Sequence, residues 1–238
     1  MNLHLIGNYM PKIQCDILDT EVVFDSNLGL WYRPGRAKEL SQLIQAKNKW
    51  HLRVKQVFIE RGVTRLMNIG AHIGLWSKVV SELGIEVLAY EPILSSVKIA
   101  RKNSPKAVTT QAVVSTHSRP QFIYIGGTTA TSRTAPTRGK LPVKVPSVDF
   151  SKVVAKFAPQ AVTFDCEGGE YEILLVQRVP LCIKLLDLEL HLQKKDWRES
   201  LCDKLILHLT ESGWQCEYID KNRNHWAQGS LHSLWSRK

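Results

Sequence analysis

The sequence lacks any apolar run long enough to cross a bilayer. It also lacks a basic segment at its start. Met1 to Met10 contains Asn2, His4 and Asn8, and it does not read as a signal peptide. Cysteine is scarce and unpatterned: Cys15, Cys166, Cys182, Cys202 and Cys216 are odd in number, widely spaced and without a C-x-x-C pair. That argues against a zinc framework and for a reducing compartment, with the thiols as small buried or surface groups. A cytoplasmic location is the expectation. No internal repeat or low-complexity tract is present. No zinc knuckle or RNP-like aromatic motif marks a nucleic-acid module. Acid is the scarcer charge, with 22 Asp and Glu against 32 Lys and Arg, a net charge of +10. Such a balance favours polyanions, acidic substrates or an anionic surface.

What is there is ordinary globular material: 238 residues, 44% apolar and 23% charged. One large α/β core is the default for this length. Residues 1–60 read as an N-terminal extension of short strands and one basic helix. Glu21 to Phe24 is a strand candidate, Asp25 to Gly29 a turn, and 37–60 a helix with Leu40, Leu43, Ile44, Trp50 and Val54 on its apolar stripe. Arg33, Arg36, Lys38, Lys47, Lys49, Arg53, Lys55, Arg61 and Arg65 crowd this stretch. They read either as a solvated helical face or as a binding patch.

From residue 61 to 238 the pattern alternates. Strands are expected at 65–69, 86–90, 108–114, 161–164 and 183–192, and helices at 75–83, 95–103, from about 170, and 196–212. Residues 122–125 and 143–148 read as a hairpin around a long polar loop, and 153–157 as a short helix. Residues 213–219 and 226–235 close the chain as two strands. Alternating βα units imply a doubly wound, mostly parallel sheet. Ligands of such sheets bind beyond the carboxyl ends of the strands, where the strand order reverses.

Gly70-Ala71-His72-Ile73-Gly74 stands after the first of these strands and leads into a helix. Glycines allow a tight turn, and the helix start favours an anionic group. Glu91 ends the next strand, 21 residues after Gly70. An acid near that offset is the usual partner of ribose hydroxyls. The pair points to an adenosine-containing ligand, against a merely structural turn. The spacing is not G-x-G-x-x-G, which disfavours a dinucleotide.

Four stretches stand in one order: Asn68 to Gly74, Tyr90-Glu91-Pro92, Asp165 to Glu170, and Glu189-Leu190-His191. Together, over about residues 64–220, they resemble the FkbM-type methyltransferase family. The resemblance implies a class I (Rossmann-like) methyltransferase fold, seven strands with an antiparallel last one. It implies S-adenosylmethionine as donor, S-adenosylhomocysteine as product, and a hydroxyl oxygen as the usual acceptor. By that resemblance Gly70, Ala71 and Gly74 surround the methionyl part, and Asn68 and His72 belong to the same cofactor-binding motif. Glu91 holds the ribose, Pro92 and Ile93 flank the adenine, Ala112 and Val113 lie at its edge, and Asp165 borders the cofactor. The family usually begins the first motif with Asp, where this chain has Asn68, which brings no negative charge beside the sulfonium.

Methyl transfer is an in-line displacement, so alignment supplies much of the acceleration, and a hydroxyl nucleophile needs a proton acceptor. Asp165, Glu167 and Glu170 follow the 161–164 strand. Acids in the first turn of a helix are favoured by its dipole, which accounts for Glu170 and Glu172 but not for Asp165. In the next strand Asp187, Glu189 and His191 alternate with leucines and share one face. A central parallel strand is normally apolar on both faces, so this face is expected to open into a site. His191 is the candidate general base, because imidazole titrates near neutrality, and a neighbouring carboxylate such as Glu189 would hold it; Asp165 and Glu167 are the other catalytic candidates. A satisfied structural histidine is the competing reading. Asp165, Glu167, Glu189 and His191 could ligate a hard metal, but nothing in their spacing demands one and none is expected.

Three functions fit. The first is O-methylation of a sugar or other small hydroxyl compound. The second is ribose methylation of nucleic acid, using the basic 33–65 segment and the 126–140 loop with Arg133, Arg138 and Lys140. The third is a non-catalytic adenosine-binding module, which the polar face of the 183–192 strand disfavours. No N-P-P-Y-like signature of amino-methylating enzymes follows the 161–164 strand.

Overall fold

The structure, a computed structural model, describes residues 22–26, 29–33, 37–125, 132–133, 141–191, 198–220 and 230–237. A short antiparallel pair, β1 (Val23–Asp25) and β2 (Leu30–Tyr32), precedes a long helix, α1 (Ala37–Glu60). Then come β3 (Arg65–Ile69), α2 (Leu75–Ser81), β4 (Glu86–Glu91), α3 (Leu94–Asn103) and β5 (Val108–Gln111). After β6 (Val113–Ser115), the strands β7 (Gln121–Ile125), β8 (Ser132–Arg133) and β9 (Leu141–Val145) make a small antiparallel sheet. The chain continues through β10 (Ser147–Asp149), α4 (Phe150–Phe157), β11 (Ala161–Phe164), α5 (Gly169–Val176) and β12 (Leu185–His191). It closes with α6 (Arg198–Glu211), β13 (Trp214–Ile219) and β14 (Ser230–Arg237).

Seven strands form the main sheet in the order β13-β14-β12-β11-β3-β4-β5. The pairs from β12 to β5 are all parallel, and β14 runs antiparallel between β12 and β13. The doubly wound sheet with an antiparallel last strand is thus as the sequence implies. From β3 the chain winds to β4 and β5 on one side, and later to β11 and β12 on the other. The reversal falls between β3 and β11, so the carboxyl ends of those two strands define the crevice.

Residue alternation on the strands builds two cores. Met67, Ile69, Val162, Phe164, Leu186, Leu188 and Leu190 face α4, α5 and α6. Leu66, Val87, Ala89, Ala161 and Leu185 face α1 and α2, where they meet Trp50, Val54, Phe58, Trp76 and Val80. Through Trp50, Val54 and Phe58, α1 shares this core of the sheet. The second core has a buried polar spine. Trp50 Nε1 donates to Asp187 Oδ1 at 2.9 Å, Thr163 Oγ1 donates to Asp187 Oδ2 at 3.2 Å, and Trp76 Nε1 donates to Thr163 Oγ1 at 3.0 Å. Every member finds a partner, which is what burial demands of polar groups.

The expected single strand over 108–114 is two. β5 pairs with β4 in the main sheet, but after Ala112 the chain leaves it, and β6 pairs in parallel with β10. The expected hairpin is the β7–β9 pair, and residues 147–148 belong instead to β10. Most of the 126–140 loop, with Arg138 and Lys140, and all of 221–229 lie outside the described residues, as does the candidate strand residue Glu21. No helix among the described residues is long and apolar enough to cross a membrane.

Candidate active site

The turn after β3 is shaped by close approaches of protein to protein. Gly70 has φ +88, and a Cβ on it would stand 1.8 Å from the carbonyl oxygen of Asp165. Gly74 has φ +82, and a Cβ there would meet the backbone of Ala100 in α3 at 2.9 Å. Glycine is required at both because the backbone passes too close for any side chain. Gly70 N–H and Ala71 N–H both donate to the Tyr90 carbonyl at 2.9 Å, fixing the turn to β4. Asn68 is buried, and its Nδ2 donates to Ser77 Oγ at 2.9 Å. The amide faces α2 and ties the end of β3 to it. His72 sits in the left-handed region at φ 50.

Glu91 faces this turn from the tip of β4. It is only 5% exposed. Oε2 accepts from the His72 N–H at 2.9 Å, and Oε1 accepts from the Ile93 N–H at 3.0 Å. Burial pushes the carboxyl up to about 7, against the pull of those two N–H groups. Each oxygen keeps room for a second donor. Paired ribose hydroxyls would use it, so the residues present fit an adenosine ligand. Pro92 is half-buried, and its carbonyl accepts from Gln111 Nε2 at 3.2 Å, which sets the end of β5 beside Glu91. Ala112 is buried in the larger core. Val113 and Ile93 pack with Ile123 and Val145 beneath the β7–β9 hairpin. The Ile93 side chain, which the resemblance puts against adenine, is thus committed to the protein.

At the tips of β11 and β12 lies the chemical end. His191 is buried. Its Nε2 stands 3.7 Å from Asp165 Oδ1, 3.7 Å from Glu167 Oε1 and 3.8 Å from Glu189 Oε1. On the far side Nδ1 stands 3.6 Å from Glu170 Oε1. Burial alone would lower the His191 pKa. The adjoining carboxylates of Glu170, Glu167 and Glu189 outweigh it and raise it to about 10. The surrounding carboxylates thus favour the protonated ring. Glu167 reaches the cluster from a left-handed backbone, φ 57, which costs a non-glycine residue about 1–2 kcal/mol. Its Gly168 neighbour has φ 106 and caps α5.

The glycine turn after β3 and this cluster are one place. Gly70 touches the backbone of Asp165, and Asp165 N–H donates to the Ile69 carbonyl at 2.9 Å.

No family model matches the chain, and no curated protein does. Solved structures resemble it in chain path. One is a TehB-like SAM-dependent methyltransferase from Corynebacterium glutamicum, 10% identical, with TM-score 0.44 over 87% of this chain and 100% of that one. Another is an O-methyltransferase from Bacillus cereus in complex with SAH, 8% identical, with TM-score 0.48 over 87% and 92% of the two chains. A third is magnesium protoporphyrin IX methyltransferase from Synechocystis with bound SAM, 10% identical, with TM-score 0.45 over 80% and 79%.

Sequence reasoning undervalued Glu170. It reads as a dipole-favoured acid in the first turn of a helix, yet it is 0% exposed. Its Oε2 accepts from the Gly168 N–H at 2.9 Å and from Cys166 Sγ at 3.3 Å, and its Oε1 accepts from the His191 N–H at 3.2 Å. His232 was missed altogether. It pairs with Glu189 across the β12–β14 ladder, and its Nε2 stands 3.6 Å from Glu189 Oε2. Asp187, by contrast, shares the polar face of β12 but belongs to the buried spine under α1.

Arg36 and the side chains of Lys38 and Lys47 lie outside the described residues, and four of the other basic residues are engaged by the protein. Arg33 is buried with its guanidinium on Ser95 and Ser96. Arg53 lies over the Tyr218 ring, Arg61 pairs with Glu217 at 3.2 Å, and Arg65 donates to the Phe157 carbonyl.

Proposed function

We propose that this chain is an S-adenosylmethionine-dependent methyltransferase that transfers a methyl group to a hydroxyl oxygen of a sugar or other small molecule. The buried Glu91 carboxylate carries the reading. It sits at the tip of the strand beside the sheet's switch point, with one backbone donor on each oxygen and the glycine turn opposite. The four FkbM-type sequence motifs support the same reading, since the fold brings all of them to one crevice.

The cofactor supplies an electrophilic methyl on a sulfonium and leaves as the neutral thioether. The protein's part is placement and proton handling. Glu91 holds the ribose hydroxyls, and the Gly70–Gly74 turn borders the methionyl part. Asp165 and Glu167 receive the acceptor's hydroxyl, taking first its hydrogen bond and then its proton as the C–O bond forms. His191 holds those two carboxylates from behind. Such positioning is worth roughly 7–11 kcal/mol in favourable cases.

Calorimetry on the purified chain is expected to give one S-adenosylmethionine per chain, lost in Glu91→Ala. Absence of cofactor heat from the ligand-free protein would overturn the proposal. His191→Ala is expected to cut methyl transfer sharply while cofactor affinity holds. Ribose methylation of nucleic acid is the second reading, favoured by the +10 charge.

A further inference from the structure

The cluster around His191 carries more than proton handling. His191 is nine-tenths buried, with 9% exposure. Among the described residues its Nδ1 makes no hydrogen bond and faces only Glu170 Oε1 at 3.6 Å, and the carboxylate oxygens before Nε2 stand at 3.7 to 3.8 Å, beyond hydrogen-bond reach. A buried imidazole that aims one nitrogen at several carboxylates without touching them is arranged around a point between them. One ligand atom each from Asp165, Glu189 and His191 falls within 4.8 Å of the others. Around a small divalent ion with bonds of about 2.1 Å, neighbouring ligands stand roughly 3.0 Å apart and opposite ones roughly 4.2 Å. The separations between Nε2 and the oxygens of Asp165 and Glu189, 3.7 and 3.8 Å, lie inside that window.

The ring is also oriented as metal-bound imidazoles are. A ligating histidine almost always turns its other nitrogen to a carboxylate, which fixes the tautomer and the ring plane. Here Glu170, fully buried, faces Nδ1 and is itself held by the Gly168 and His191 N–H groups. On the outer side His232 braces Glu189 Oε2 at 3.6 Å.

We infer that Asp165, Glu189 and His191 form a binding site for a hard divalent cation of the Mg²⁺ or Mn²⁺ class, with Glu167 at its rim and Glu170 orienting the imidazole. Two carboxylates and one imidazole suit such ions better than soft ones. The cation takes the place of the Nε2 proton. Three protein ligands leave about half of an octahedral shell for solvent and acceptor. Its role rests on the methyl-transfer reading: the ion holds an acceptor oxygen beside the methyl donor and eases loss of its proton.

The test is Mn²⁺ binding to the full chain, followed by the paramagnetic resonance of the free ion, with S-adenosylmethionine calorimetry on the same samples. The wild type is expected to take up one Mn²⁺ per chain, displaced by excess Mg²⁺. Glu189→Gln should abolish uptake, and Glu170→Gln should weaken it by about 10–100-fold through loss of orientation. Retained cofactor heat in both variants shows that they fold. No uptake by the wild type at about 1 mM Mn²⁺, or uptake undiminished in Glu189→Gln, overturns the cation site. Cofactor heat without Mn²⁺ uptake refutes the site and spares the methyltransferase. Mn²⁺ uptake without cofactor heat refutes the methyltransferase and spares the site.

Discussion

Glu91 is pulled two ways, by burial toward the neutral form and by two backbone donors toward the anion. Burial wins, and the carboxyl rises to about 7. The folded chain therefore keeps a proton that the unfolded chain releases near 4.5. Folding stability from this group is present below about 4.5 and is lost as pH rises to about 7, by something near 3 kcal/mol. Ribose hydroxyls donate, so they prefer the anion and expel the proton. Cofactor affinity is expected to be flat above about pH 8 and to weaken by up to about tenfold per pH unit below 7. Glu91→Gln should show only the cofactor's own titration. Calorimetry across that range in buffers of different ionisation heat checks both parts, and identical profiles for the two proteins would refute the link.

At the scale of elements, β2 is fastened to the cofactor turn through one side chain. Asn103, at the end of α3, accepts from the Trp31 N–H at 2.7 Å and donates to the carbonyls of Trp31 at 3.0 Å and Ile73 at 2.7 Å. Asn103 is buried, and its loss leaves the Ile73 carbonyl without that buried partner, at about 1–3 kcal/mol, and releases two part-buried groups of Trp31. Asn103→Ala should lower the melting temperature and weaken cofactor binding together, because Ile73 lies inside the glycine turn. A stable variant with full affinity would show that β2 is passive.

Elements also show what could be read in advance. Arg65–Ile69 and Ala161–Phe164 fall where alternation and turn residues put them, because both are short apolar runs between strong breakers. The break at Ala112 was illegible, since β6 is apolar enough for the main sheet and only its pairing with β10 draws it away. Glu170 was illegible for a related reason. Its local setting is that of any acid in a first helical turn, and only the seating of α5 beneath β12 buries it against His191. Asp187, Glu189 and His191 were rightly placed on one face, yet α1 divides that face, since Trp50 claims Asp187 and leaves the other two to the crevice.

For the molecule as a whole the charge of +10 is the feature most open to misreading. Arg33, Arg53, Arg61 and Arg65 are engaged within the fold, so the sum overstates what faces a polyanion. Gel shifts with RNA and DNA are expected to show only weak retention, gone between about 50 and 200 mM salt. Labelled methyl groups should then appear in glycan or metabolite fractions. Retention that survives about 200 mM salt, with label in RNA, would move the acceptor to ribose.

β14 lies between β12 and β13, although it is the last of the three to be synthesised. Until it arrives, β12 is an exposed edge that carries Glu189 and His191, and Glu189 lacks the His232 brace. An open edge of this kind invites pairing with other chains. Long-range strand insertion is also among the slower events of folding. On the proposed function, a nascent or partly unfolded chain would thus complete the Glu91 crevice before the Glu189–His191 cluster. Competence to bind and competence to react would be gained at different times, with the second set by the last strand.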